Sequence, residues 1–123
     1  MFQLDFKSGI SICDQIVNGV IKLKALGVMK ADEQLPSVRA LASRFSINPN
    51  TVQKAYSILE NGGIVYTVKG KGSFISGDQR AQDAIMQNAM DAFKEAVESA
   101  VTVGISYEQM KEIINELGKG ETE

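Results

Sequence analysis

Residues 35–61, LPSVRALASRFSINPNTVQKAYSILEN, decide the fold because they predict two helices joined by a tight turn. Ser37 is an N-cap residue, and apolar residues follow it at the spacing of one helix face, namely Val38, Leu41, Ala42 and Phe45. After a short turn, Asn48 and Pro49 form a second helix start, with proline at the first helical position. We expect this second helix to cover residues 48–61 because Gly62-Gly63 stops it. Two helices separated by a three-residue turn are typical of a helix-turn-helix.

The flanking segments extend this unit to a winged helix-turn-helix. Upstream, apolar residues at helical spacing predict a first helix over residues 11–26, namely Ile12, Ile16, Val20 and Leu23. Downstream, residues 64–68 and 73–76 are rich in β-branched and aromatic types and flank the turn Lys69-Gly70-Lys71-Gly72, which predicts a hairpin. The alternation of apolar and polar residues over 2–7 predicts one more short strand. The predicted fold class is mainly α with a small β-hairpin.

The helix predicted for residues 48–61 has two chemically different faces. Its apolar stripe of Val52, Ala55 and Leu59, helped by Ile58, is expected to pack on the two preceding helices. The opposite face carries the polar residues Asn50, Gln53, Lys54 and Ser57, with Thr51 beside them. Amides bind base edges in pairs of hydrogen bonds, and lysine binds phosphate or guanine, so this face suits the major groove. A plain solvated face is the alternative.

Two further groups of residues suit contact with DNA phosphates. Ser37 and Arg39 lie at a predicted helix N-terminus, with Arg44 one helix length away, and a helix N-terminus with a hydroxyl and a guanidinium can hold phosphate. The turn residues Lys69, Gly70 and Lys71 fit the tip of a wing (residues 64–76) near the minor groove. An ordinary hairpin turn is the alternative. A nucleotide phosphate loop is excluded because glycine follows Lys71 where that loop needs serine or threonine.

The charge is divided unevenly along the 123 residues. Residues 1–77 hold nine basic and five acidic residues, whereas residues 78–123 hold four basic and ten acidic residues. A basic part joined to an acidic part is expected when only one of them meets nucleic acid. We therefore predict a DNA-binding domain over residues 1–77 and a helical dimerisation region over residues 78–123.

The acidic part predicts two helices, over residues 79–103 and 107–117, each with an apolar seam. The seam residues are Met86, Met90, Phe93, Val97 and Ala100 in the first helix and Tyr107, Met110, Ile114 and Leu117 in the second. Two helices of this size cannot bury a core alone, which favours packing between two copies of the chain. A groove for an unknown small-molecule effector is the alternative. A twofold symmetric dimer predicts a palindromic operator.

The composition excludes several classes of protein. The chain has no histidine and a single cysteine, Cys13, so it predicts no enzyme, no metal site, no cofactor and no disulfide framework. Cys13 is expected to be a buried helix residue. The sequence shows no apolar run long enough for a membrane span and no signal segment, so we expect a cytoplasmic protein with no membrane partner.

Residues 10–76 resemble the DNA-binding domain of the bacterial GntR family of transcription regulators. The resemblance is carried by residues 35–42, 48–56 and 70–75, which follow one another at the family's separations. The short two-helix tail resembles the YtrA-like subfamily. The resemblance implies DNA contacts from Ser37, Arg39, Asn50, Thr51, Lys54, Lys69, Gly70 and Lys71. Together with the apolar seam, it leads us to predict a homodimeric, sequence-specific DNA-binding repressor. Gln53 stands where many relatives carry arginine, so base preference does not transfer. A winged helix that binds proteins, without specific DNA binding, is the alternative function.

Overall fold

The computed structural model describes residues 2–121, which form five helices and one antiparallel hairpin. The elements in chain order are α1 (Ile12–Ala25), α2 (Val38–Phe45), α3 (Pro49–Asn61), β1 (Val65–Val68), β2 (Gly72–Ile75), α4 (Gln79–Thr102) and α5 (Tyr107–Glu121). This order confirms the predicted fold class. The predicted domains also include Met1, Thr122 and Glu123, which lie outside the described residues.

The helices begin where their capping residues predict. The Ser37 hydroxyl accepts a hydrogen bond from the Ala40 amide at 3.0 Å and so caps α2. The Asn48 side chain accepts one from the Asn50 amide at 2.8 Å and caps α3, with Pro49 following it. Helix α2 ends at Phe45, and the C-cap residue Ser46, with a left-handed φ of 54°, turns the chain towards α3. The helix-turn-helix geometry is therefore encoded by local hydrogen bonds.

The structure corrects the prediction of a strand near the N-terminus. In the described chain, residues 2–5 have no regular secondary structure, and a turn follows them. The Gln15 side chain accepts a hydrogen bond from the Asp5 amide at 2.7 Å and donates to the Asp5 and Ile10 carbonyls at 2.8 and 2.9 Å. The Phe2 ring stacks on Phe45 with centroids 6.1 Å apart. The apolar residue Phe2 therefore packs against a helix side chain and does not belong to a strand. The Gln15 side chain bonds the Asp5 backbone groups that a strand neighbour would have bonded.

The core of the winged helix-turn-helix draws on every one of its elements. Side chains with 1% exposure or less come from α1, α2, α3, the hairpin and the residue just before it, namely Ile16, Val20, Leu41, Val52, Ala55, Leu59, Ile64 and Ile75. Cys13 is 8% exposed, which confirms its prediction as a buried helix residue. The expectation that Ile58 helps to pack α3 was wrong, because Ile58 is 40% exposed.

The segment before α2 is a third strand-like partner of the hairpin. The Asp32 amide donates to the Ile75 carbonyl at 2.7 Å, the Ile75 amide to the Glu33 carbonyl at 2.9 Å, and the Leu35 amide to the Ser73 carbonyl at 2.8 Å. Within the hairpin itself, Val65 pairs with Ile75 and Val68 with Gly72. The sequence indicated only a connection here. The connection in fact fixes the hairpin to the start of α2.

The chain divides into two compact units, Met1–Asp83 and Ala84–Glu123. The first turns of α4, with the buried Gln82, belong to the first unit. In the second unit, α5 begins with the predicted capping box, in which Ser106 and Gln109 each accept a hydrogen bond from the other's backbone amide, at 3.1 and 2.9 Å. A functional division after residue 77 stays a prediction. No described helix combines the length and apolar character needed to cross a membrane.

Candidate nucleic-acid interface

Helix α3 presents a polar face to solvent because its opposite face is locked into the core. Asn50, Gln53 and Lys54 are exposed, and Thr51 and Ser57 are half-buried. The Gln53 amide nitrogen lies 3.4 Å from the Ser57 hydroxyl, one helical turn away. The buried side is formed by Val52, Ala55, Tyr56 and Leu59. Helix α3 has 13 residues, so at ~1.5 Å per residue it is ~20 Å long and matches the span of a major groove.

Tyr56 is a residue of this site that the sequence interpretation missed. It is 5% exposed, and its hydroxyl donates to the Pro36 carbonyl at 2.7 Å, which ties α3 to the residue before Ser37. Burial raises the pKa of Tyr56 to about 12, so the hydroxyl keeps its proton and stays a donor. The signal was present, because residues 52, 55, 56 and 59 follow the i, i+3, i+4, i+7 pattern of a buried helix face.

The predicted phosphate ligands of α2 lie at its two ends. Ser37 and Arg39 are exposed at the N-terminus, where backbone amides and the helix dipole favour an anion. The Ser37 oxygen caps Ala40, which leaves its hydroxyl hydrogen available to a phosphate oxygen. At the other end, the Arg44 guanidinium lies 5.8 Å from the centre of the Phe45 ring. That ring in turn stacks on Phe2, so the N-terminal segment supports the position of Arg44.

The tip of the hairpin is an exposed basic element of the first unit. Lys69, Gly70 and Lys71 are all exposed. The Lys71 amide donates to the Val68 carbonyl at 2.9 Å, and Gly70 has a φ of 78°, a left-handed conformation that glycine adopts without strain. Among residues 2–121, no hydrogen bond or ion pair engages the ammonium groups of Lys54, Lys69 or Lys71. These charges therefore point into solvent, where a phosphate backbone would be reached.

All eleven residues predicted to bind DNA lie in the first unit. One hydrogen bond joins two of them directly, from Gln53 to Ser57. Tyr56, which is not among the eleven, bonds the carbonyl of Pro36, the residue before Ser37. None of the eleven is buried in the core. The side-chain amides of α3, on Asn50 and Gln53, are accessible to solvent.

The predicted dimerisation seam lies on the second unit and is largely uncovered there. Six of its nine residues form one groove between α4 and α5, together with Ala96 and Ile113: Phe93, Val97, Ala100, Met110, Ile114 and Leu117. Met86 and Met90 lie beside Phe93, earlier in α4, and Tyr107 is at the start of α5. Phe93 is 49% exposed and Leu117 71% exposed. An apolar face of this extent is expected to pack against something.

The sequence of this chain is similar to a known protein family and to known relatives. Residues 14–75 match the sequence profile described as bacterial regulatory proteins, gntR family. The HTH-type transcriptional repressor YtrA of Bacillus subtilis (strain 168) is 36% identical over 121 residues, which cover 95% of this chain and 92% of the relative.

Solved structures agree with the sequence match. A transcriptional antiterminator from Listeria monocytogenes EGD-e superposes with a TM-score of 0.76 at 33% identity, covering 96% of this chain and 90% of that one. A GntR family transcriptional regulator from Listeria monocytogenes superposes with a TM-score of 0.73 at 29% identity, covering 90% of this chain and 98% of that one. Both matches extend through the second unit as well as the first.

Proposed function

Since this chain belongs to the GntR family of bacterial regulatory proteins, we propose that it represses transcription in the cytoplasm by binding a palindromic operator as a homodimer. Like its relatives, it is a transcription regulator with a DNA-binding domain and not an enzyme. The proposal assigns DNA binding to residues 1–77 and dimerisation to residues 78–123.

One observation carries the proposal: α3 buries four side chains and holds amides and an amine in solvent on the opposite face. A helix anchored in this way cannot rotate, so Asn50, Gln53 and Lys54 meet a duplex in a fixed register. Fixed register is what base readout requires, because paired hydrogen bonds from an amide to adenine, or from lysine to guanine, depend on geometry. We therefore assign base contacts to Asn50, Gln53 and Lys54, with Thr51 and Ser57 flanking them.

Phosphate contacts would come from α2 and the wing. Ser37 and Arg39 combine backbone amides, a hydroxyl and a guanidinium at one helix N-terminus. Lys69, Gly70 and Lys71 put two positive charges on a turn whose glycine allows close approach to the minor groove. Arg44, stacked on Phe45, adds a further cation. These contacts position the protein and do not by themselves select sequence.

The apolar face of the second unit supports the proposed homodimer. A lone copy leaves Phe93, Ile114 and Leu117 at 49%, 49% and 71% exposure, and burying such side chains contributes ~25 cal/mol per Å². A second copy related by twofold symmetry offers the same face, so the contact is self-complementary. Two recognition helices related by that axis require two inverted half-sites in the operator.

The test is selection of bound sites from random double-stranded DNA, followed by affinity measurements on the selected sequence. We expect an inverted repeat, and we expect Asn50→Ala to lose about 1–3 kcal/mol of discrimination at one position of each half-site. Lys69→Ala and Lys71→Ala should weaken all sequences alike and flatten the salt dependence by about one unit each.

Matched controls separate these effects from general damage. Asn18→Ala removes an exposed amide from α1, and Lys94→Ala removes an exposed lysine from α4, and neither should change base choice or the salt slope. Failure to enrich any sequence would refute specific binding and favour a protein-binding winged helix. Enrichment of single or directly repeated half-sites would refute the symmetric dimer.

A further inference from the structure

We propose that Gln34 is a positioning residue for the wing: its side-chain amide holds the backbone at Lys71 and so fixes the tip that meets phosphate. The Gln34 amide nitrogen donates to the Lys71 carbonyl at 2.8 Å, across 37 residues of sequence. This inference rests on the proposed DNA contact of the wing. The sequence alone does not identify Gln34 as important for the wing, because Gln34 lies in a segment that the sequence predicts only as a connection between helices.

The hairpin is shaped to receive this side chain. Gly72 follows Lys71 and has a φ of 126°, and a Cβ built on Gly72 would lie 2.8 Å from the Gln34 amide nitrogen. Any larger residue at position 72 would displace Gln34 or the turn. Glycine at this position therefore provides the space for the bond as well as the unusual backbone angle.

Gln34 itself is held firmly, which is what allows it to position a neighbour. Its backbone pairs with Phe74 as an isolated antiparallel bridge, and the adjacent Leu35 amide donates to the Ser73 carbonyl at 2.8 Å. Tyr66 donates to the Asp32 carboxylate at 2.7 Å and stacks on the Phe74 ring with centroids 5.5 Å apart. The side chain of Gln34 thus starts from a fixed backbone and reaches towards an exposed, otherwise lightly supported tip.

The same segment leads directly to the other DNA-facing parts. Pro36 accepts the hydrogen bond of Tyr56 on α3, and Ser37 begins α2. Gln34 therefore joins the wing tip to the backbone that also sets the N-terminus of α2. Losing its amide would free the wing tip while the bonds of Pro36 and Ser37 keep the two helices in place.

Gln34→Met tests the proposal, because methionine keeps the length of the side chain and lacks the donor. In the free protein, the ¹⁵N heteronuclear NOE at Gly70 and Gly72 should fall, which shows greater motion of the tip. Binding to the selected operator should weaken about threefold to tenfold, the range for loss of one hydrogen bond. Gln79→Met is the matched control: it removes another exposed glutamine amide, which bonds Asp83 at 3.3 Å, and should change neither measurement.

A double-mutant cycle shows whether Gln34 acts through the wing lysines. In a Lys69→Ala, Lys71→Ala background, Gln34→Met should cost less than about twofold, because the contacts it positions are already gone. An undiminished loss in that background, or an unchanged NOE at the tip, would overturn the assignment while leaving the wing contact itself intact. If the double lysine variant binds the operator as well as the unchanged protein at every salt concentration, the proposed wing contact is the part that fails.

Discussion

Replacing Tyr56 with phenylalanine removes a single hydroxyl from the interior of the first unit and tests the link between α3 and the start of α2. The hydroxyl belongs to a residue that is 5% exposed, and it donates to the Pro36 carbonyl at 2.7 Å. Phenylalanine fills the same space but leaves that carbonyl without its donor. We expect the free energy of unfolding to fall by about 1–2 kcal/mol near neutral pH.

The same substitution has a distinctive pH dependence. Burial raises the pKa of Tyr56 from its ordinary value of 10.0 to about 12, so the folded protein holds this proton more tightly than the unfolded chain. The stability that this shift contributes is complete at a pH below the pKa of Tyr56 in the unfolded chain. It is lost as the pH rises from that pKa to the pKa in the folded protein, at about 1.4 kcal/mol per pH unit. The Tyr56→Phe variant has no such loss. The difference in the free energy of unfolding between the unchanged protein and the Tyr56→Phe variant should therefore shrink above pH ~10 and vanish near pH ~11.

The measurement is urea unfolding followed by far-ultraviolet circular dichroism, at equal protein concentrations because the stability of the proposed dimer would depend on concentration. Tyr107→Phe is the control: Tyr107 is 62% exposed, and phenylalanine keeps the ring assigned to the predicted seam and removes only the hydroxyl, so stability should change by less than about 0.5 kcal/mol. Equal stability of the variant and the unchanged protein at about pH 8 would refute the buried hydrogen bond. A constant difference between about pH 8 and pH 11 would refute the raised pKa of Tyr56.

Three further predictions test the packing and the proposed dimer. Ile16→Ala opens a cavity at a residue with 0% exposure and should cost about 2–5 kcal/mol in urea unfolding, and a loss below about 1 kcal/mol would contradict the described core. Gly63→Ala should cost more than Gly70→Ala, because both glycines have positive φ but only at Gly63 does the new Cβ approach another atom, Ala81 Cβ at 3.2 Å; equal losses would contradict that approach. Phe93→Lys should give monomers in sedimentation velocity and weaken operator binding, whereas a dimer that persists in this variant would refute the proposed role of the seam.

Local signals explain why the starts of the helices could be predicted from the sequence, whereas α5 runs to Glu121, past its predicted end at Leu117. The capping residues Ser37, Asn48 and Ser106 bond to amides two or three residues away, so their effect does not depend on the rest of the fold. The polar face of α3 also followed from periodicity, because a helix whose stripe is buried must expose the opposite side. The same periodicity also places Tyr56 in the buried stripe of α3.

Signals of the same kind failed where the partner is distant or absent. The alternation over residues 2–7 suits a strand, but Gln15 bonds the local backbone instead and Phe2 packs on Phe45. Residues 31–35 carry no strand pattern, yet they pair with β2 because the chain path brings them to its edge. Strand formation depends on a neighbour, which a period of two does not reveal.

By itself the sequence determined the order of the helices and the hairpin, the caps and the chemistry of the exposed face of α3, because local hydrogen bonds and periodicities set these. Only the tertiary structure decided that Gln34 bonds the wing tip, that Tyr56 bonds Pro36 and that Ile58 faces solvent. Each of these depends on which backbone or side chain lies opposite, and that is fixed when the helices and the hairpin pack together.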